Sequence, residues 1–536
     1  MIRRIERFLQ DRKGNFAMLS SAVAVPLVLA AGIMIDLTTI NQTKSKLQSA
    51  LDAAALAVAR EGKDVSDLDA EAIANTFLDD NFDPKFTELK VVKSGTTFSV
   101  SAHTRANLAF GTLMGYDDWP IVGASTADIA YASYEVALVL DTTGSMKGGK
   151  LTAMKDAVIG LIDTMSLQVD DAEKLKFSLV PFASFVNVGA GFGPSFDKKG
   201  KQIPGTGAEW LDLQGKANIP QVELGAGASR FQMYHNLGQA WPGCVETRYS
   251  ASGEDYGTTD APAKQADAET LYIPAFSIDE PDTGGYVNSY ITSDAKPKNK
   301  AAKEKKKRFA KYGIATDASG NPTGEGLLGL VGGLLKTIVI DSSVSKYYGT
   351  PKGPGAGCDM QPMTPLTNDY QALKTKVGDL KAAGNTNILE GVGWGWRALT
   401  PGAPFAEGQP IESGVEKIMV VLTDGSNTLG NASNDLGSTY SSFGYLVDGR
   451  LGLEAGGSAA TNKAMNDRTL AACANAKADG VTVYTIRLEE PNVATGTMLM
   501  ECASSPDHYF DVPSRAQLDD AFGKIKERIV KIRISS

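Results

Sequence analysis

Histidine is scarce in this chain of 536 residues: there are only 3, His103, His235 and His508, and no two lie close in sequence. A zinc centre of the H-E-x-x-H kind needs two imidazoles one helical turn apart, so it is excluded. Cysteine is scarce as well. The 4 cysteines, Cys244, Cys358, Cys473 and Cys502, form no C-x-x-C pair, which removes zinc-ribbon and thioredoxin-type readings. An even number at wide spacing fits two disulfides in an oxidising compartment, and four buried thiols in a reducing one are the alternative. Excess positive charge is also missing. A formal net charge of -9 argues against nucleic-acid binding as the main task. What remains is ordinary for folded protein, with 43% hydrophobic and 21% charged residues, on a chain long enough for several domains.

Uncharged sequence of bilayer-spanning length occurs near the N-terminus. Residues 1–15 carry Arg3, Arg4, Arg7, Arg12 and Lys13 against Glu6 and Asp11, and Phe16 to Ile35 then runs without charge. About 20 apolar residues are what a membrane-crossing helix needs, and the cationic flank is expected to stay in the cytoplasm. Residues 16–36 therefore read as an uncleaved anchor. A cleavable secretory signal is the alternative, but the run is longer than a usual signal core and lacks a clear small-residue cleavage site. Leu37, Ile40, Leu47, Leu51, Ala54 and Val58 follow at helical spacing, so the helix is expected to continue as a stalk to Gly62. A second helix is expected from Asp67 to Asp80, capped by Ser66, completing a stalk over 37–83. Residues 84–133 alternate polar and apolar and read as a small β module.

Chemistry enters at Tyr134 to Met146, YEVALVLDTTGSM. Val136 to Leu140 is a nearly continuous apolar run, the pattern of a parallel strand buried on both faces. It ends in Asp141, with the hydroxyls of Thr143 and Ser145 at alternate positions after it. An amphipathic helix (Leu151, Met154, Val158, Leu161, Ile162, Met165) and a second strand, Lys174–Val188, follow, which makes a βαβ unit and implies a parallel sheet. Such sheets gather ligands outside the carboxyl ends of their strands. Two later pieces fit the same edge: Thr386 in a turn before a helix with Ile388, Leu389, Val392 and Trp396, and Asp424 at the end of the apolar run Ile418–Leu422. Two carboxylates and three hydroxyls make an oxygen set of the kind hard divalent cations prefer. Further elements are expected at Arg468–Ala478 (helix), Gly480–Leu488 (strand), His508–Val512 (strand) and Arg515–Val530 (helix).

Two resemblances sharpen this reading. RKGNFAM, GIMIDLTTINQTKSKLQ and ALDAAALAVA resemble the N-terminal region of the TadE/TadG-like family of Tad (Flp) pilus-assembly proteins. In that family a prepilin peptidase cuts ahead of the span. Gly14 followed by Asn15 and Phe16 is similar to such a site, but Leu19 stands where those substrates carry an acid. DTTGSM, GNT and LTDG resemble the metal-ion-dependent adhesion site of von Willebrand factor type A domains, residue by residue at Asp141, Thr143, Ser145, Thr386 and Asp424, with Thr143 where Ser is usual. That resemblance implies a Rossmann-like, doubly wound, mostly parallel α/β sheet over 134–536. It also implies Mg²⁺ (or Mn²⁺ or Ca²⁺) held by the three hydroxyls directly or through water and by the two Asp mainly through water. A sixth position would be open to a partner's carboxylate.

Residues 189–364 interrupt the sheet pattern as a long insertion rich in Gly, Pro, Ser and Asp. A Cys244–Cys358 bridge would close most of it into one loop, and Cys473 and Cys502 are placed to meet at one end of the sheet. Within the insertion, Lys296–Arg308 carries eight basic residues, with Glu304 the only acid among them. It is either a contact for an acidic partner or a solvated face. Asp317, Ser319 and Asn321 begin like a calcium loop, but Pro322 and Leu328 stand where Gly and Glu are required. Gly326–Ile340 is apolar but contains Lys336 and is too short to span.

The function expected is that of a non-enzymatic, envelope-exposed adhesion or assembly protein on a single-pass inner-membrane anchor. Its partner would be a pilus or Tad-machinery component or a surface ligand. The competing readings are a structural tether or gate with a purely structural metal and, last, a metal-dependent hydrolase, which lacks a histidine base in the motif loops.

Overall fold

The computed structural model describes residues 15–61, 66–94, 97–128, 133–167, 169, 171–249, 255–281, 285–291, 309–319, 321–326, 352–411 and 414–531. The basic N-terminus, the basic run Lys296–Arg308 and nearly all of Gly326–Ile340 lie outside the described residues. The chain forms two compact units, Met1–Tyr131 with Ile532–Ser536, and Ala132–Lys531.

The first unit begins with a 47-residue helix, α1 (Asn15–Glu61). From Ser20 onward it is long and apolar enough to cross a membrane, and Val25, Leu27, Val28, Met34 and Ile35 are all exposed. Below them the helix changes character. Leu47, Leu51, Ala54 and Val58 are fully buried against α2 (Asp67–Asn81) and a three-stranded antiparallel sheet, β1 (Phe86–Ser94), β2 (Thr97–Asn107) and β3 (Asp118–Asp128). The N-cap of α2 is Ser66, whose hydroxyl accepts from Asp69 N at 3.1 Å. On β2 every second residue is buried, Phe98, Val100 and Ala102 turning inward, as a half-covered sheet requires. Gly123 lets β3 press onto the helix: a Cβ there would lie 2.7 Å from Leu51. Leu37, expected in the helical seam, is instead 52% exposed. The seam starts only where the sheet gives it something to pack on, so the second half of α1 and the β strands share one core.

The second unit is built on a six-stranded sheet of order β11-β10-β9-β4-β5-β8: β4 (Ser133–Asp141), β5 (Leu175–Phe182), β8 (Thr364–Thr367), β9 (Val415–Thr423), β10 (Val481–Leu488) and β11 (Tyr509–Val512). Neighbours pair in parallel except β8, which runs antiparallel at the edge. The remaining strands, β6 (Ile314–Thr316) and β7 (Pro322–Gly326), form a separate hairpin in the insertion. There Asp317 accepts from the amides of Ser319 and Asn321 at 2.8 and 2.9 Å, a turn rather than a cation loop.

Helices cover both faces. Val136, Leu138 and Leu140 of β4 face α3 (Gly149–Ser166), α5 (Tyr370–Gly378) and α9 (Leu518–Lys531). Ala137 and Val139 face α6 (Ile388–Leu399), α7 (Ser458–Ala478), α8 (Val493–Cys502) and the insertion, which contributes the short α4 (Arg230–Asn236). Double coverage is why β4 reads as continuous apolar sequence rather than alternation. The fold is thus a doubly wound, mostly parallel α/β sheet. Strand β5 stops at Phe182, short of the Val188 expected, because the chain doubles back there: Ala183 N donates to Phe185 O at 3.0 Å. Helix α7 starts ten residues earlier than expected, at Ser458 rather than Arg468. Helices α5 and α8 were not foreseen. Both have little apolar periodicity and are fixed by side-chain caps, Asp369 Oδ1 on Ala372 N and Asn492 Oδ1 on Thr495 N.

Both anticipated disulfides are present. Cys244–Cys358 closes the insertion across 114 residues, and Cys473–Cys502 ties α7 to α8. The insertion packs Trp210, Tyr272 and Phe276 against Trp394 of α6 within one core.

Helix α6 carries Gly391, Gly393 and Gly395, which would weaken an isolated helix by about 1 kcal/mol each relative to Ala. Here Gly391 and Gly395 permit close approach to the sheet. A Cβ at Gly391 would lie 2.7 Å from Phe182 and 2.8 Å from Val139, and one at Gly395 would overlap Val139 and lie 2.8 Å from Met419 Sδ. Crowding in a two-sided core outweighs the gain in propensity, so Gly395→Ala is expected to destabilise by roughly 2 kcal/mol. Gly160→Ala on the exposed face of α3, where a Cβ meets nothing within 4 Å, should stabilise by up to about 1 kcal/mol. Urea unfolding of the two variants checks both signs.

Candidate functional site

Three loops meet at the carboxyl ends of β4 and β9. Register decides the meeting: Leu140 lies opposite Leu422, so Asp141 and Thr423 are next in line and Asp424 lies just beyond. The loop after β4 is held from two sides, Thr142 N donating to Phe182 O at 2.9 Å and Gly144 N to Gly384 O at 3.0 Å. Gly384, at φ +83°, supplies the left-handed turn that brings Thr386 in. Asn427 then fixes the start of α6, its Oδ1 accepting from Ile388 N at 2.8 Å, while Thr428 N donates to Thr386 O at 2.8 Å.

The five oxygen-bearing residues anticipated from sequence converge. Asp141 is fully buried; its Oδ1 accepts from Thr143 N at 2.8 Å and its Oδ2 from Thr423 Oγ1 at 2.6 Å. Ser145 Oγ donates to Asp424 Oδ1 at 2.6 Å and lies 3.0 Å from Thr143 Oγ1. A first side-chain carbon on Gly425 would sit 3.2 Å from the Thr386 hydroxyl and 3.6 Å from that of Ser145, so these two hydroxyls flank the same point. Asp424, Thr143 and Thr386 are buried, whereas Ser145 is exposed. The arrangement is a shallow pit with carboxylates on its floor and a hydroxyl at its rim.

Sequence reasoning missed three contributors. Lys150 Nζ makes a 2.6 Å ion pair with Asp424 Oδ2, whose side chain is wholly buried. Thr423 and Asn427 hold Asp141 and α6 respectively. The position of Thr423 directly before Asp424 was a usable signal; Lys150, nine residues beyond Asp141, was not. Histidine plays no part in the described hydrogen bonding of the site. His235 stacks on Phe196 at 4.2 Å, and His508 lies edge-on to Tyr484 and bonds Ser505. Among the described residues, no three His, Cys, Asp or Glu side chains gather closely enough to hold a metal. A cation here would depend on hydroxyls and water for most of its shell.

Comparison with known proteins addresses the N-terminal helix first. Residues 14–61 match the family of putative Flp pilus-assembly TadE/G-like proteins. This TadE/G-like segment covers the whole of α1 and stops at its last residue. No curated protein matches the chain. Among solved structures, the chain is similar to the pilus adhesin SpaC of Lactobacillus rhamnosus GG, at 11% identity over 84% of this chain and 35% of that one, TM-score 0.30. It therefore spans about a third of the length of SpaC. It is also similar to the vWF domain of the type V pili tip protein Mfa5 of Porphyromonas gingivalis, at 9% identity over 75% of this chain and 96% of that one, TM-score 0.32. A third is the PilB minor pilin of Streptococcus sanguinis, at 11% identity over 84% and 80%, TM-score 0.33. The strand order and direction described above carry the fold assignment beyond the TadE/G-like segment, as a doubly wound, mostly parallel α/β sheet.

Electrostatics make the pit an unstable place for two free charges. Burial first, and the charge of Asp424 second, push Asp141 up to about 6, against the hydrogen bonds from Thr143 and Thr423. The folded chain thus takes up a proton that the unfolded chain, with its value of 3.8, does not. In metal-free protein this group's contribution to stability is present below that lower value and is lost as pH rises through about 6. The urea midpoint of chelator-treated protein is expected to fall over that range, and Asp141→Asn to flatten the fall. An unchanged slope in the variant would show that Asp141 is not the group responsible.

Proposed function

We propose that this chain is a membrane-anchored, non-enzymatic binding protein of the Tad (Flp) pilus system, which grips a protein partner through a divalent cation. The observation that carries the reading is the convergence of Asp141, Thr143, Ser145, Thr386 and Asp424 in one pit with a solvent-facing rim. The donors are all oxygen, which suits a hard cation and gives no foothold to metals that prefer thiolate or imidazole.

Thr143, Ser145 and Thr386 would hold the ion directly or through water, and Asp141 and Asp424 mainly through water, with Mg²⁺ the preferred occupant and Mn²⁺ or Ca²⁺ possible. Bound there, the ion supplies concentrated positive charge and an open position for a partner's Asp or Glu. The chain's own part is to hold the oxygens rigidly on strand ends and keep Ser145 at the surface. The TadE/G-like match of residues 14–61 supports a partner among pilus or Tad-machinery components. The apolar α1 supports single-pass anchoring in the inner membrane, and the two disulfides support an oxidising compartment for the rest of the chain.

In full-length protein freed of metal by chelation, Mg²⁺ is expected to raise the melting temperature, by the equivalent of about 2.7 kcal/mol at a hundredfold excess over Kd. Asp141→Ala and Asp424→Ala should abolish the shift, together with Mg²⁺-dependent crosslinking to pilus components in cells. Folded variants that still crosslink normally would overturn the adhesive reading.

One observation favours a metal-free reading instead, a fold of this kind whose site has decayed to structural caps: Lys150 balances Asp424 with no ion present. Lys150→Met separates the two. Leaving a buried carboxylate unpaired should cost roughly 3 kcal/mol without metal, and Mg²⁺ should restore most of it if the pit binds the ion. A loss that Mg²⁺ does not restore would favour the decayed site.

A further inference from the structure

The apolar run of α1 ends at Asp36, and the structure does something unusual with that carboxylate. Asp36 is only 6% exposed. Its Oδ1 accepts from the amides of Ala109 and Phe110 at 2.8 and 3.2 Å, and its Oδ2 from those of Phe110 and Gly111 at 3.0 and 2.7 Å. All three amides belong to the loop joining β2 to β3. One turn earlier on the helix, a Cβ at Gly32 would lie 2.5 Å from the Phe110 ring, so the ring rests on bare helix backbone. The loop is therefore clamped to α1 at two levels about 6 Å apart, both within the last turns of the apolar run.

From Leu108 to Tyr116 this loop carries no charged residue. Its outer side shows Leu113, Met114 and Tyr116 at 70, 62 and 60% exposure, followed by Trp119 at 49%. Large apolar side chains this exposed and this close together mark a contact surface. The face of α1 that carries Gly32 and Asp36 is exposed and apolar in the preceding turns, with Val25 and Val28 at 59% and Leu29 at 38%. The backbone of the loop is prepared for a poorly hydrated setting. Besides the three amides on Asp36, Leu108 N donates to Asp117 O, Leu113 N to Phe110 O, Gly115 N to Thr112 O and Tyr116 N to Gly111 O. Irregular backbone near hydrocarbon is costly unless its polar groups are satisfied internally, and the carboxylate of Asp36 is what satisfies this one.

We propose that the β2–β3 loop is a second membrane contact, lying in the bilayer interface beside the end of the span, with Leu113 and Met114 in the acyl boundary and Tyr116 and Trp119 at headgroup level. The reading rests on α1 crossing the bilayer. A lipid surface is the occupant because the Leu113–Tyr116 patch adjoins the exposed apolar face of the helix, and because Trp and Tyr are the side chains that favour the membrane–water boundary.

The described cysteines are all in disulfides, so single introduced cysteines can report on one place at a time. Full-length Leu113→Cys and Met114→Cys, labelled with an environment-sensitive fluorophore and reconstituted in phospholipid vesicles, are compared with Val28→Cys in the span and Leu68→Cys on α2. Nitroxide-bearing lipids should quench labels at 113, 114 and 28 to less than half their emission and leave 68 unaffected. Quenching at 28 but not at 113 or 114 overturns the loop contact and leaves the anchor standing. Quenching at neither overturns both. A blue-shifted label at 113 that lipid nitroxides do not reach, and whose shift grows with protein density, would mean that a second copy covers the patch, which also overturns the proposal.

Discussion

Two carboxylates on neighbouring strand ends repel each other, and much of the second unit can be understood as the means of holding them. The β4–β9 register places Asp141 and Asp424 at one edge. Burial removes the water that would screen them. The surroundings then have to provide what water does not: a backbone amide and the Thr423 hydroxyl for Asp141, and the Ser145 hydroxyl and the Lys150 ammonium for Asp424. Rigid strands and a glycine-thinned α6 keep those donors in place, so the pit is formed before anything enters it.

How much of this was legible depended on what kind of residue carried each feature. The doubly wound sheet was readable because burial on both faces leaves uninterrupted Val, Leu and Ile at Val136–Leu140 and Ile418–Leu422. The oxygen set was readable because strand-end Asp and spaced hydroxyls need only local sequence. Lys150 was hidden, since a lysine near a helix start ordinarily belongs to solvent, and its pairing depends on a residue 274 positions away. Helices α5 and α8 were hidden for a different reason: their caps are single side chains and their apolar faces are short. The extent of the stalk was misjudged at Leu37 because helical spacing says which residues share a face and does not say whether another element covers that face.

The two units hold a buried carboxylate in different ways. In the second unit a buried carboxylate is balanced by a cation and hydroxyls. In the first, Asp36 is balanced by backbone amides alone. Amides carry no net charge, so that pairing leaves one negative charge where the apolar run stops, locally fixed and enclosed by a loop. A carboxylate can sit there only because the loop delivers four hydrogen bonds to it.

The order of the sheet has a consequence for biosynthesis. Strand β4 is flanked by β5, made soon after it, and by β9, made more than 270 residues later. Until residue 423 has emerged, one side of the central strand has no neighbour, and the insertion with its 114-residue disulfide loop must be accommodated in the meantime. An apolar strand with an unpaired edge is prone to association with other chains. The nascent chain therefore passes through a long interval of vulnerability, during which a folding helper acting on the growing polypeptide would have its greatest effect.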